Sequence, residues 1–149
     1  MNMEGLIYKD ECYKINGAIF AVHKSLGPGL KEISYQQAMA IELQYQGIPF
    51  EREKRFPLYH RGIKLESEYI ADFVCFGKIV LELKAVSELL DLHRAQLQNY
   101  LAVTHFKIGL LVNFNDTFIV PERIVNPLYM RKIILEREKD EIGERNEKK

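Results

Sequence analysis

Apolar residues near the start of the chain fall at Tyr8, Cys12, Ile15, Ile19, Val22 and Leu26, in alternating steps of four and three. That spacing lines one side of a helix, so a first helix is predicted up to Leu26. It stops at "LGPG", Leu26 to Gly29, where two glycines and a proline break the chain. A second helix is expected from about Leu30 to Gln46, closed by Gly47 and Pro49. After Pro49 the texture changes. "FEREKRFPLYHRGIKLESEYIADFVCFGKIVLELKA" alternates charged with apolar or aromatic residues, punctuated by Gly62 and Gly77, which predicts three strands joined by hairpins. Helical spacing returns in "LLDLHRAQLQNYLAVT", Leu89 to Thr104. "KIGLLVNF", Lys107 to Phe114, is a short apolar run suited to a buried strand. Beyond Asn126-Pro127, Tyr129 to Leu135 suits either an edge strand or the start of a helix. The charged residues after Glu136 suit a solvated helix end or a frayed tail. The expected order is helix, helix, three strands, helix, strand, with no internal repeat.

Composition narrows the class. The chain has 149 residues, 47% of them hydrophobic, enough for one well-buried core and short for two. A single domain over residues 1–128, including an extra N-terminal helix, is expected, with residues 129–149 as a C-terminal extension ending in a charged tail. The formal net charge is zero, so no overall basic field advertises a polyanion, and any such site must be local. The two cysteines, Cys12 and Cys75, lie far apart with no zinc-type spacing. The opening residues lack the basic segment and apolar run of a signal peptide, and no run approaches the length of a membrane span. A soluble cytoplasmic protein with no membrane partner is therefore expected.

Three charges interrupt the most apolar stretch, "YIADFVCFGKIVLELKA": Asp72, Glu82 and Lys84. Charges in an apolar setting are costly unless paired, hydrogen-bonded or bound to a metal. Glu82 and Lys84, two apart on a strand, share one side of the sheet. A two-residue turn at Gly77-Lys78 would put Asp72 on the other side. A three-residue loop, Cys75-Phe76-Gly77, with Gly77 in the left-handed conformation, brings all three together. On that register Ala71, Phe73, Ile79, Leu81 and Leu83 form an uninterrupted apolar surface opposite, so hydrophobic and charge patterns favour the same pairing. Two carboxylates and an ammonium at one place suit a hard divalent ion and phosphodiester hydrolysis. The plainer alternative is a strand whose charges snorkel or pair at the surface.

With Asp72 followed across a hairpin by Glu82-Leu83-Lys84, the chain resembles the PD-(D/E)xK nuclease superfamily, although Ala71 stands where a proline usually precedes the aspartate. "QLQNY", Gln96 to Tyr100, resembles the QxxxY motif of its RecB-like branch. "GLKEISY", with Gly29, Glu32 and Tyr35, is similar to the pattern that names the GxxExxY proteins. "VHKSLGPG", "LELKA", "AQLQNYL" and "GLLVNFN" resemble that group in the same order, over about Ile15 to Val125. The resemblance implies an α/β, restriction-endonuclease-like core, a mixed central sheet flanked by helices in the order α-α-β-β-β-α-β. It implies Asp72, Glu82 and Glu32 as ligands of Mg²⁺ or Mn²⁺, Lys84 as the catalytic lysine, and Gln96 and Tyr100 bordering the site. The expected activity is metal-dependent hydrolysis of DNA or RNA, and a homodimer is an open arrangement. The alternative is a binding module for nucleic acid or protein that retains the fold without cutting.

Around this centre the readings are less sharp. An acid in a helix's first turn, such as Glu32, is favourable through the macrodipole alone. His93, one turn before Gln96, either approaches the phosphate or caps its helix, and His23 is expected to be structural, against the "LGPG" turn. Lys54, Arg55, Arg61 and Lys64, with His60, form the local basic concentration around the first hairpin, able to hold a phosphate backbone or simply solvated.

Overall fold

Helix α1 (Lys9–Leu26) buries Cys12, Ile15, Ala18, Ile19 and Val22, the stripe that its spacing predicts. The structure, a computed structural model, describes residues 7–147. The opening six residues, part of the segment on which the expectation about a signal peptide rests, lie outside that range. Helix α2 (Glu32–Tyr45) packs on α1 and buries Tyr35, Gln36, Met39 and Leu43. Five strands follow: β1 (Phe50–His60), β2 (Ile63–Cys75), β3 (Ile79–Lys84), β4 (Ile108–Asn113) and β5 (Glu122–Val125). They lie side by side in chain order, antiparallel except for β3 and β4, which are parallel. Helix α3 (Asp91–Thr104) makes the β3–β4 crossover that a parallel pair requires.

Two apolar layers result. α1 and α2 cover one side of the sheet through Ile15, Ile19, Met39, Phe73, Leu81, Leu83 and Val112. α3 covers the other through Leu97 and Leu101 on Ala71, Val74, Val80 and Leu111. A Cβ at Gly109 of β4 would meet a Leu97 methyl at 3.2 Å, so the glycine allows α3 to lie this close.

Among the elements, expectation and structure differ in three places. α2 starts at Glu32, two residues later than predicted. The residues before it are held by Tyr35, whose hydroxyl donates to the Gly27 carbonyl at 2.6 Å and accepts from the Leu30 N–H at 3.1 Å. The second hairpin loop is Phe76-Gly77-Lys78, one residue later than read, with Cys75 paired to Ile79. Its length is still three, so the side-chain parity across it is the one expected. Strand β5 was not predicted: four residues, two of them charged, give no periodicity. Of the two readings open for Tyr129 to Leu135, the structure takes the helical one, α4 (Pro127–Glu147). Asn126 sets it up, its side-chain oxygen accepting from the Leu128 N–H at 2.9 Å while Pro127 takes the first helical position.

Candidate active site

The strands β2 and β3 pair only from Phe73↔Leu81 to Cys75↔Ile79. Beyond that point they part, and Asp72 and Glu82 stand where they do. One Asp72 oxygen, Oδ2, accepts from the Leu83 N–H at 2.8 Å, so the carboxylate fills the fork with a hydrogen bond the ladder no longer supplies. Its other oxygen, Oδ1, accepts from the Gln36 side chain at 3.0 Å. Gln36 is itself fixed by Arg52, which donates to its Oε1 from Nε at 3.1 Å and from Nη2 at 2.8 Å. Gln36 lies one helical turn after Glu32, so α2 brings both toward the same fork.

The alternation of β2 breaks at Asp72. Phe73 packs under α1 and α2, but Ala71 packs under α3, not with Phe73 as the simple register predicts. Glu53, between the pairs Arg52↔Phe73 and Lys54↔Ala71, has a φ of 53°, so the irregularity spans both strands and leaves the register on either side unchanged. Its consequence is local and decisive. Tyr69 turns to the α3 side, where its hydroxyl donates to Glu82 Oε1. The Tyr69 ring stacks on Tyr100 with centroids 3.8 Å apart and planes 9° from parallel, and on Phe56 at 5.7 Å.

Electrostatics follow from this packing. Burial pushes the Glu82 carboxyl up to about 8, with the adjacent Asp72 carboxylate adding to the rise, while the Tyr69 hydroxyl and the Lys84 ammonium oppose it. Glu32 is an exposed residue by area, but its carboxyl is lifted above the ordinary value by loss of water. Lys84 opposes that shift and Asp72 reinforces it. The Tyr69 phenol is raised by burial and then by Glu82, so it stays a donor. Among the described residues the Lys84 ammonium has no hydrogen-bond or ion-pair partner, although Glu32 and Glu82 both feel its charge. The structure thus sets Asp72 beside Glu82, with Lys84 and Glu32 near enough for their charges to be felt.

A cavity of about 20 Å³, room for one water, is lined by Glu82, Lys84, His93, Gln96 and Tyr100. His93 also accepts the Leu90 N–H at Nδ1, 2.9 Å away, so it caps α3. The proton of the neutral ring then sits on Nε2. Tyr100 reaches Glu82 through Tyr69. Past Lys84 the chain is held by buried Asn113, which exchanges bonds with the Val86 N–H at 3.0 Å and the Val86 carbonyl at 2.9 Å. His23 is structural, bonding the Asp116 carbonyl at 2.8 Å.

Of the basic residues of the first hairpin, Lys54 and Arg55 stand opposite Ala71 and Ile70, next to Asp72 along β2, while Arg61 and Lys64 lie at the hairpin's far end. Lys54 pairs with Glu51 at 2.5 Å and Arg55 with Glu68 at 3.4 Å. Arg61 forms the turn of the β1–β2 hairpin with Gly62, and Lys64 lies beside it, both exposed. Eight residues of strand separate Lys64 from Asp72, about 25 Å along β2.

Three carboxylates near a lysine are a donor set suited to a hard divalent ion, which takes a few protein oxygens and completes its shell with water or phosphate. Among the described residues no group of three or more acidic, histidine or cysteine side chains is placed so as to hold a metal ion, and Asp72 and Glu82 are the pair of acids at the fork. Asp72 and Glu82 each retain unused lone pairs, and the ionisation of Glu82, suppressed first by burial and then by the Asp72 charge, is what a cation would favour.

The fork of strands with its paired acids and lysine defines a nuclease-type α/β core, and the PD-(D/E)XK nuclease superfamily matches residues 9–124. The chain belongs to that superfamily, whose members are typically hydrolytic nucleases using divalent metals. No curated protein matches the chain. The crystal structure of SSO0001 is similar, with a TM-score of 0.52 and 22% identity, over 90% of this chain. The chain spans about 65% of that protein's length, and the likeness supports the fold.

Proposed function

We propose that the protein is a metal-dependent nuclease, hydrolysing phosphodiester bonds of DNA or RNA with Mg²⁺ or Mn²⁺. Within the superfamily the reading narrows to the GxxExxY group of the RecB-like branch, on "GLKEISY" and "QLQNY". The observation that carries it is the junction of Asp72 and Glu82 at the parting of β2 and β3, with the unpartnered Lys84 ammonium beside them. Asp72 and Glu82 would hold a divalent cation, which would supply positive charge to a phosphodiester and make a nearby water easier to deprotonate. Asp72, held by Gln36 and the Leu83 N–H, and Glu82, held by Tyr69, offer their remaining lone pairs in set directions. Lys84 donates to the attacking water or to the phosphoryl oxygens, where negative charge builds. Gln96 and the Nε2–H of His93, on the cavity wall, donate to the phosphate. The test is hydrolysis of single- and double-stranded DNA and RNA by purified protein. Cleavage is expected only with added Mg²⁺ or Mn²⁺, and Lys84→Ala should lower it about a hundredfold or more with the fold retained. Undiminished cleavage by that variant, or cleavage in EDTA, overturns the reading.

A further inference from the structure

Helix α4 meets the body only through its first turns. Tyr129, Met130 and Ile133 rest against the core, but from Ile134 onward every described residue of the helix is exposed. These fourteen residues have little tertiary cover, and a helix of that length is marginal in water on its own. The projecting side has a regular pattern. Leu128, Arg131, Leu135, Glu138, Ile142 and Arg145 follow one another in steps of three and four, the seam of a two-helix coil, with apolar residues alternating with charges. Leu128, Leu135 and Ile142 are 53%, 50% and 56% exposed. Alongside the seam runs a groove of about 580 Å³ between α4 and β5, lined by Arg123, Arg131, Ile134, Leu135 and Glu138 among others.

We propose that this seam and groove are covered by α4 of a second copy of the chain, running antiparallel. Charge decides the occupant and its direction. Residues 127–135 carry two basic side chains and no acidic ones, whereas residues 136–147 carry six acidic and three basic. Antiparallel pairing lays the acidic half of one helix on the basic half of the other. It places Glu138 of the second copy near Arg131 and, by the two-fold axis, repeats that contact. Parallel pairing instead brings Arg131 to Arg131 and Glu138 to Glu138, which is repulsive. Within one chain the two charges are available: the ion pair on α4 among the described residues joins Arg137 to Glu141 at 3.5 Å, and neither Arg131 nor Glu138 takes part. Leu128 and Leu135 lose their exposure against the second helix, and Ile142 of the second copy meets the groove's apolar floor.

Sedimentation equilibrium of the full chain tests this by mass and is independent of any cleavage activity. The native chain is expected at the mass of two chains. Arg131→Glu and Glu138→Arg, both at exposed positions and checked for native circular dichroism, should each weaken self-association about a hundredfold or more. Mixed in equal amounts, the two variants should recover a dimer, because each supplies the charge the other needs. A native chain that stays monomeric at the highest concentration reached overturns the proposal. So do single variants that dimerise as well as the native chain, or a mixture that fails to associate.

Discussion

Tyr69 is the residue through which the candidate site is tuned. Its hydroxyl donates to Glu82, and its ring stacks on both Tyr100 and Phe56. Tyr69→Phe keeps both stacks and removes only the donor. Glu82 should then ionise less readily, since the Tyr69 bond is one of two influences holding its pKa down. The expected result is a roughly tenfold to hundredfold loss of metal-dependent cleavage near neutral pH, as for a hydrogen bond to a charged group. The acid limb of the pH–rate profile should move to higher pH, and equal loss at every pH would refute the tuning role. Simple alternation along β2 puts Tyr69 on the opposite side from Glu82, so nothing in the local pattern points to it. Gln36 escapes notice for a related reason, because its contact with Asp72 exists only once α2 docks over the sheet. Asp72, Glu82 and Lys84 are legible because they lie within one hairpin, where loop length alone sets the parity.

Among the elements, the α4 junction shows how one side chain joins distant segments. The Asn126 amide donates to the carbonyls of Leu101 at 3.0 Å and Phe106 at 2.9 Å, and its oxygen caps α4. Asn126→Ala removes both amide bonds and the helix cap, while the Leu101 carbonyl keeps the Thr104 hydroxyl at 3.5 Å. A loss of about 3 kcal/mol in urea unfolding is expected, with lower helicity, while a surface change such as Lys139→Ala should be close to neutral. The Asn-Pro pair is a helix-start signal as well as a strand breaker. Periodicity alone left both readings open, since the apolar residues after it crowd several sides of the helix. β5 is beyond such reading altogether. It is held by its pairing with β4 and by Arg94 of α3, which grips Glu122 with bonds of 2.7 and 2.9 Å, contacts made between segments far apart in sequence.

For the molecule as a whole, the buried acid pair ties stability to pH. Between the ordinary carboxylate value and about 8, the folded protein keeps a proton at Glu82 that the unfolded chain has released. Raising the pH through that window therefore costs stability, on the order of a few kcal/mol. Urea unfolding in EDTA at pH 5 and pH 8.5 should show the lower midpoint at pH 8.5, and Glu82→Gln should remove most of the difference. An unchanged pH dependence in that variant would mean that Glu82 does not retain the proton.

The order of residues by itself determines the helices, the central strands and the hairpin that joins Asp72 to Glu82 and Lys84, because hydrophobic spacing and loop length act over a few neighbouring residues. Only the tertiary structure decides that β2 changes sides at Asp72, that Tyr69 and Gln36 secure the two acids, and that β5 and Asn126 close the far edge. Those outcomes depend on contacts between segments distant in sequence, where a backbone irregularity of one residue redirects every side chain beyond it.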